Sequence, residues 1–387
     1  MESFQLAAVT AFGLEAVVAR ELKQLGYENT TVEDGRVWFK ADESAICRTN
    51  INLRSAERVS IVPGRFEALD FGILFDATRA IPWEDWLPKD AKFPIAGRSV
   101  RSQLHSTPDI QRLVKKAIVE RLKDAYGLVW CDETGPEYAI EVSIVDDLVT
   151  LSIDTSGDGL HKRGYRAKSG AAPLRETLAA GMLQLSYWRH GRPFLDPFCG
   201  SGTIAIEAAL LGRRMAPGSR RHFAAEHWFR VPQLLWDNAR EEARAAVLPS
   251  EGKLLAGDID PAAISQAGRN AISAGVGSDI EFVVRNVTEW QDLPQYGCLI
   301  SNPPYGERLG TRDEAEETYY RLGDLCQSLD TWSFYLLTAH PEFEAIFGWS
   351  ADRRRKLYNA KIACTFFQYF GPKPPRSEDH EPAEISP

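Results

Sequence analysis

At 387 residues the chain is long enough for two or three compact units, each with its own core, and a 44% hydrophobic, 26% charged composition is that of a globular protein in water. No apolar run reaches bilayer-spanning length and no secretory leader opens the sequence, so a cytoplasmic location and no membrane partner are expected. A formal net charge of -9 argues against a uniformly basic nucleic-acid binder.

In chain order, "FQLAAVT" reads as a strand and "LEAVVARELKQLG" as an amphipathic helix stopped by Gly26, followed by a hairpin at Asp34-Gly35. "RSAERVSIVPGRF" begins another strand. A helical stretch to about Leu87, a strand near "FPIAGRSVRS" and a basic helix from Asp109 to Tyr126 come next. "YAIEVSIV" and "LVTLSIDT" alternate across Asp146-Asp147 as a second hairpin. Cations concentrate at Arg98, Arg101, Arg112, Lys115, Lys116, Arg121 and Lys123, at Lys162 to Lys168, at Arg213 to Arg221 and at Arg353 to Lys361, so local basic faces on an acidic protein are possible. "SGDGLHKRGYRAKSGAAP" has no apolar face and reads as a connector.

Beyond it helices and strands alternate. Helices are expected at Leu174–Tyr187, Ile204–Leu211, Ala262–Ala274 and Glu317–Leu329, and strands at "RPFLDPF", "KLLAGDID", "IEFVVRN", "CLIS" and "SFYLLTA". That order specifies a mostly parallel sheet covered on both faces. "RKLYNAKIACTFFQYF" adds an antiparallel hairpin, and the polar, proline-rich end from about Gly371 has nothing to bury and is expected to be disordered.

The six cysteines (Cys47, Cys131, Cys199, Cys298, Cys326, Cys364) form no CxxC pair and no metal-ligand cluster, and read as reduced and structural, with no metal expected. Chemistry concentrates elsewhere. "LDPFCGSGTIAIEAALLG" is a strand, a glycine loop and a helix; Gly200 and Gly202 let backbone approach a ligand, and the helix amino terminus offers free N–H groups. The G-x-G-x-x-A spacing also fits a dinucleotide fingerprint. The acidic strand end that such a fingerprint needs about 20 residues on arrives only at Asp258-Ile259-Asp260, after an insertion, and the lysine of a P-loop is missing. Asp196, the glycine loop and Asp258 on successive strands fit a nucleoside without phosphate, such as S-adenosylmethionine.

In "CLISNPPYGERLG" two prolines lock an extended bend directly after a strand. A bend of this kind holds hydrogen-bond acceptors that need not reorganise. If the Asn302 side-chain oxygen and the Pro303 carbonyl accept the two hydrogens of a ring-conjugated amine, the nitrogen is drawn toward tetrahedral geometry and its lone pair toward a methyl donor. Pro304 adds rigidity, and Tyr305 would stack on the ring of a base flipped out of its helix.

These motifs together resemble the class I S-adenosylmethionine-dependent methyltransferases that act on conjugated amines. "LHKRGYR", "APLRETLAA", "NPPYGERLG" and "RKLYNA" are similar to the RNA guanine-N2-methyltransferases among them, and most of all to bacterial 23S ribosomal RNA enzymes with an amino-terminal THUMP RNA-binding domain. The resemblance implies a Rossmann-like seven-stranded α/β catalytic domain preceded by an α+β ferredoxin-like and THUMP module. Boundaries follow as 1–60 ferredoxin-like, 44–155 THUMP, overlapping the first, 156–172 connector, 173–371 catalytic and 372–387 tail. It further implies that Asp196, Phe198, Gly200, Gly202 and Thr203 form the methionine-side loop, and that Asp258 sits at the ribose with Ile259 and Asp260 by the adenine. Asn302, Pro303, Pro304 and Tyr305 would be catalytic, with Asn302 also touching the cofactor. Two departures stand out: Asn286, still expected to bind the cofactor by accepting through its amide oxygen, replaces an aspartate that accepts from the adenine amine, and Ala360 replaces a glycine, which puts a tight turn there in doubt. The partner implied is RNA, ribosomal before transfer RNA, held by Arg101, Arg112, Lys115, Lys116 and, in the connector, Arg163 and Tyr165. DNA adenine or protein glutamine methylation shares the tetrapeptide but leaves the first 155 residues without a role.

Overall fold

Two seven-stranded sheets organise the chain in the computed structural model, which describes residues 3–166, 174–304 and 312–375. In order the elements are β1 (Phe4–Thr10), α1 (Glu15–Gln24), β2 (Thr30–Glu33), β3 (Arg36–Ala41), α2 (Glu43–Asn52), β4 (Ala56–Glu67), α3 (Phe71–Ala80), β5 (Ile95–Val100), α4 (Thr107–Tyr126), β6 (Ile140–Val145) and β7 (Leu148–Asp154). There follow α5 (Glu176–Leu185), β8 (Phe194–Asp196), α6 (Thr203–Gly212), α7 (Gln233–Ala245), β9 (Leu254–Asp258), α8 (Pro261–Ala274), β10 (Ile280–Val284), β11 (Cys298–Ser301), α9 (Arg312–Gln327), β12 (Ser333–Thr338), α10 (Phe343–Phe347), β13 (Arg353–Asn359) and β14 (Ile362–Tyr369).

The chain divides into two compact units. The first holds residues 1–181, 210–249 and 357–360, and the second 182–209, 250–356 and 361–387. The first sheet runs β2-β3-β1-β4-β7-β6-β5. Strand alternation decides its faces: Leu6 and Ala8 enter the main core while Ala7 lies against Trp38 and Val62 on the other side. The long strand β4 is shared by both halves of this sheet. Its first half pairs with β1 (Leu6 opposite Ile61) and its second with β7 (Gly64 opposite Leu151), with the register shifting between Ile61 and Gly64, where Pro63 has no N–H to give. Both hairpin turns form where expected, Asp146 and Asp147 each in the left-handed region (φ 50° and 62°).

Sequence reading placed residues 210–249 inside a continuous catalytic stretch, whereas their contacts group them with the first unit. Trp228 stacks on Tyr138 (4.5 Å between centroids) and donates to the Glu137 carbonyl at 3.0 Å. Gly218 donates to Ile51 O at 2.8 Å, in a fit where a Cβ would lie 2.7 Å from the Asn50 carbonyl. Helix α2, with Asp42 as its amino-terminal cap, went unread because its apolar positions interleave with Thr49 and Asn50, which are themselves buried.

In the second sheet the order is β10-β9-β8-β11-β12-β14-β13. Neighbours from β10 to β12 are parallel, β14 runs antiparallel to β12, and β13, the other strand of the hairpin expected from the sequence, lies beside β14 at the edge. Strands leave β8 in both directions, through β9 on one side and β11 on the other. The resulting crevice at their carboxyl ends is where an open α/β sheet binds ligands. The turn joining β13 and β14 does form despite the missing glycine, with Ala360 itself taking φ 55°.

Candidate active site

Three strand ends place the acidic and polar groups. Asp196 ends β8, Asp258 ends β9 and Ser301 ends β11. A cavity of about 840 Å³ opens over them, lined among others by Phe198, Gly200, Asp258, Ile259, Asp260, Asn286, Asn302 and Pro304, with Glu314, Glu317 and Arg321 from α9. Asp258 shapes this wall through its two oxygens: one accepts from Gly200 N at 2.9 Å and the other from Asp260 N at 3.0 Å. Asp260 in turn caps α8 by accepting from Ala262 N (2.8 Å). Ile259, between them, is 68% exposed, an apolar side chain offered to the cavity.

The glycine loop is built for close approach. Gly200 and Gly202 have φ 52° and 83°, and a Cβ on Gly202 would meet Ala267 Cβ at 3.0 Å and a Phe282 ring carbon at 3.2 Å. Asn270, which sequence reading missed, fastens the loop by donating to Ser201 O at 2.9 Å. Its signal was a polar residue on the α8 face otherwise made of Ala267, Ala271 and Ala274. Thr203 starts α6, its hydroxyl 3.4 Å from that of Ser201.

Asp196 is 1% exposed and does not line the cavity; it supports it from below. Its Oδ1 accepts from Ser301 Oγ at 2.6 Å and from Phe198 N at 3.3 Å. Burial pushes its carboxyl up to about 7 against the pull of these hydrogen bonds, and the nearby Asp258 charge adds to the rise. Cys199 is buried, and its thiol is pushed well up, chiefly by burial, so it stays protonated.

At the end of β11 the chain turns through Asn302, Pro303 and Pro304. Asn302 lines the cavity, and its Oδ1 is buried with no hydrogen-bond partner among the described residues. The kink is clamped from α9. Tyr319, fully buried, donates to Pro304 O at 2.8 Å and lies 3.0 Å from the Thr338 hydroxyl, with Phe343 packed edge-on against its ring. A tyrosine on the apolar face of a helix gives no sign in sequence that its hydroxyl reaches a distant proline. Tyr305 lies outside the described residues.

Asn286 lines the cavity, but its oxygen is less available than expected. Its amide oxygen caps the turn Val287–Glu289 by accepting from Thr288 N and Oγ1, each at 3.1 Å, while Glu289 accepts from Asn286 N, so an incoming amine would have to share an oxygen already in use. Arg163 and Tyr165 also differ from expectation. Each is 5% exposed, and Arg163 donates to Leu160 O at 2.6 Å and to Arg54 O, so both build the first unit instead of facing RNA. Arg101, Arg112 and Lys116 are exposed and Lys115 half-buried; their carboxylate partners are Asp146, Asp109, Glu120 and Glu133 respectively. Among the described residues no group of His, Cys, Asp and Glu is placed to hold a metal ion, and no helix is long and apolar enough to cross a membrane.

A seven-stranded sheet with its last strand inserted antiparallel, a glycine loop after the first strand, a carboxylate after the second and Asn-Pro-Pro after the fourth define a class I methyltransferase. Residues 163–368 match the family described as "RMKL-like, methyltransferase domain", residues 5–60 the "RlmL ferredoxin-like domain" and residues 69–154 the "THUMP domain". The chain is 45% identical over 386 residues to "Putative RNA methyltransferase YpsC" of Bacillus subtilis, covering 99% of this chain and 100% of that one. It is 34% identical over 375 residues to "Ribosomal RNA large subunit methyltransferase K/L" of Shewanella amazonensis, covering 95% of this chain; it spans 53%, about half, of that relative's length. A solved structure described as "SMU.472, a putative methyltransferase complexed with SAH" superposes with TM-score 0.91 at 39% identity, covering 97% of this chain and all of that one. The chain belongs to the RMKL-like methyltransferase family.

Proposed function

We propose that this protein transfers a methyl group from S-adenosylmethionine to the exocyclic amine, N2, of a guanine in RNA, with 23S ribosomal RNA as the substrate. The observation that carries the reading is the buried, unpartnered oxygen of Asn302 at the cavity wall. A buried acceptor without a donor costs stability unless something supplies one, and an amine substrate does. The THUMP match over residues 69–154, and the large-subunit ribosomal RNA methyltransferases among the relatives, support RNA.

The residues present fit the cofactor. Gly200 leaves open space at the cavity where a Cβ would stand, Asp258 stands at the strand end with lone pairs left for ribose hydroxyls, and exposed Ile259 offers an apolar surface for adenine. When bound, S-adenosylmethionine supplies an electrophilic methyl on a sulfonium sulfur. Asn302 Oδ1 and the Pro303 carbonyl accept the two amine hydrogens and draw the nitrogen toward tetrahedral geometry. Tyr319 holds the kink so that these acceptors need not reorganise, and Tyr305 is assigned to stack on the base. After transfer the nitrogen, now cationic, loses its proton to water, so no strong base is required.

The test is incubation with radiolabelled S-adenosylmethionine and, separately, ribosomal RNA, transfer RNA and DNA, followed by nucleoside analysis. Label in N2-methylguanosine from 23S RNA is expected. The same product from transfer RNA alone would move the substrate, and label only in DNA adenine would overturn the reading.

A further inference from the structure

Three of the sequence segments singled out above, "LHKRGYR", "APLRETLAA" and "RKLYNA", have no part in the cavity just described. Arg175 of the second and Tyr358 and Ala360 of the third line a second cavity of about 440 Å³ with Phe12 and Glu57, all within the first unit, and His161 of the first reaches Glu57. Glu57 anchors it: the carboxylate accepts from His161 Nδ1 at 3.0 Å, Arg175 Nη1 at 3.2 Å and Thr177 Oγ1 at 2.5 Å. Burial alone would push this carboxyl up, yet the hydrogen bonds from His161 and Thr177, with the charges of His161 and Arg175, hold it below its usual range. Glu57 is therefore an ionised group spent on internal partners, and what it does for the cavity is fix the Arg175 guanidinium in place.

Arg175 gives Glu57 one of its N–H groups, and 41% of its side chain stays exposed. Phe12, just past the end of β1, is 50% exposed and meets the Tyr358 ring edge to face at 6.0 Å. A half-exposed aromatic face held by a second ring, beside a fixed planar cation, in a hollow of small-ligand size, is the arrangement that takes an unstacked nucleobase and its phosphate. An apolar peptide would use the rings but leave the guanidinium without an anion.

We propose that this second cavity holds one unpaired nucleotide of the RNA substrate, the base on Phe12 and a phosphate on Arg175. The proposal rests on the RNA reading given above. Flipping a target base breaks local pairing, so neighbouring nucleotides are available for capture.

The experiment compares the wild type with Phe12→Leu, which keeps an apolar side chain but loses the planar face, and Phe12→Trp, which keeps one. Kinetics are measured on 23S RNA transcribed in vitro, alongside ultraviolet crosslinking to the same RNA carrying 5-iodouridine. Expected results are an RNA KM raised about tenfold in Phe12→Leu and restored in Phe12→Trp, as loss of one base stack implies. Affinity for S-adenosylhomocysteine and Tm should be unchanged, and a crosslink should map to the peptide containing Phe12. An unchanged KM in Phe12→Leu with active wild type, or a Tm loss that Phe12→Trp does not restore, would overturn this inference alone. A wild type that methylates DNA or protein but no RNA would overturn both readings.

Discussion

The wall of the methyltransferase cavity and the basic helix α4 treat their polar groups in opposite ways. At Asn302 a buried oxygen is left without a donor among the described residues, although burial makes that costly. On and around α4 the cations that sequence reading assigned to RNA have carboxylate partners: Arg112 with Asp109 (2.9 Å), Lys115 with Glu133 (2.7 Å), and Arg101 with Asp146 (2.6 Å). Exposed pairs of this kind are weak and exchangeable. On the proposed function an RNA phosphate replaces the carboxylate, and the face adds affinity without fixing geometry. On that reading one region is committed to a single chemical task and the other is adjustable, and substitutions in the two should separate accordingly.

The largest effect is expected at the committed end. Asn302→Ala should lower the single-turnover rate by about 10²- to 10³-fold while leaving S-adenosylhomocysteine affinity within about threefold, because the acceptor matters most as the amine changes geometry. Equal loss of cofactor affinity, read by calorimetry, would make Asn302 structural and dissolve the contrast. Tyr319→Phe removes the hydroxyl that holds Pro304 O without changing packing volume, and should cost about tenfold in rate with unchanged cofactor binding. On the adjustable side, Arg112→Ala and Lys116→Ala should each weaken RNA binding only a few-fold, and each should reduce the slope of log affinity against log salt by about 1. A loss as large as that of Asn302→Ala would show that α4 fixes geometry after all.

Two smaller effects concern the second sheet and its edge turn. Asp196 holds its proton more tightly when folded, at about 7, than an unfolded aspartate does, at about 4. Between those values the folded state binds more protons than the unfolded chain, so stability from this group falls as pH rises through that window and is level above it. The Tm of the ligand-free wild type should therefore drop more between pH 5 and pH 8 than that of Asp196→Asn. Ala360→Gly relieves a left-handed backbone at φ 55°, worth about 1 kcal/mol, and should raise Tm by about 2 °C.

Features governed by local chain chemistry were legible. Pro-Pro fixes a bend wherever it stands, the glycine loop and helix follow a strand, and both hairpins formed at their turn residues. Strand and helix alternation gave the second sheet as mostly parallel because parallel neighbours need crossover helices. What stayed hidden depends on partners far along the chain. The Tyr319 hydroxyl acts on a proline fifteen positions away, and Arg163 reads as an exposed connector cation until Arg54 O and Leu160 O claim it. Trp228 and Gly218 read as part of the catalytic stretch until Tyr138 and Ile51 claim them. The Asn286 cap is a different case: its box with Glu289, three residues on, is visible in sequence and went unread.

The central claim is that the kink after β11 presents paired oxygens to a guanine amine. A crystal structure with S-adenosylhomocysteine and a guanosine-containing RNA fragment tests it most directly. N2 should lie within about 3 Å of both Asn302 Oδ1 and Pro303 O, with the free nitrogen face toward the sulfur. A base bound with its amine away from Asn302, or an Asn302 oxygen satisfied by the protein in that complex, would contradict the account.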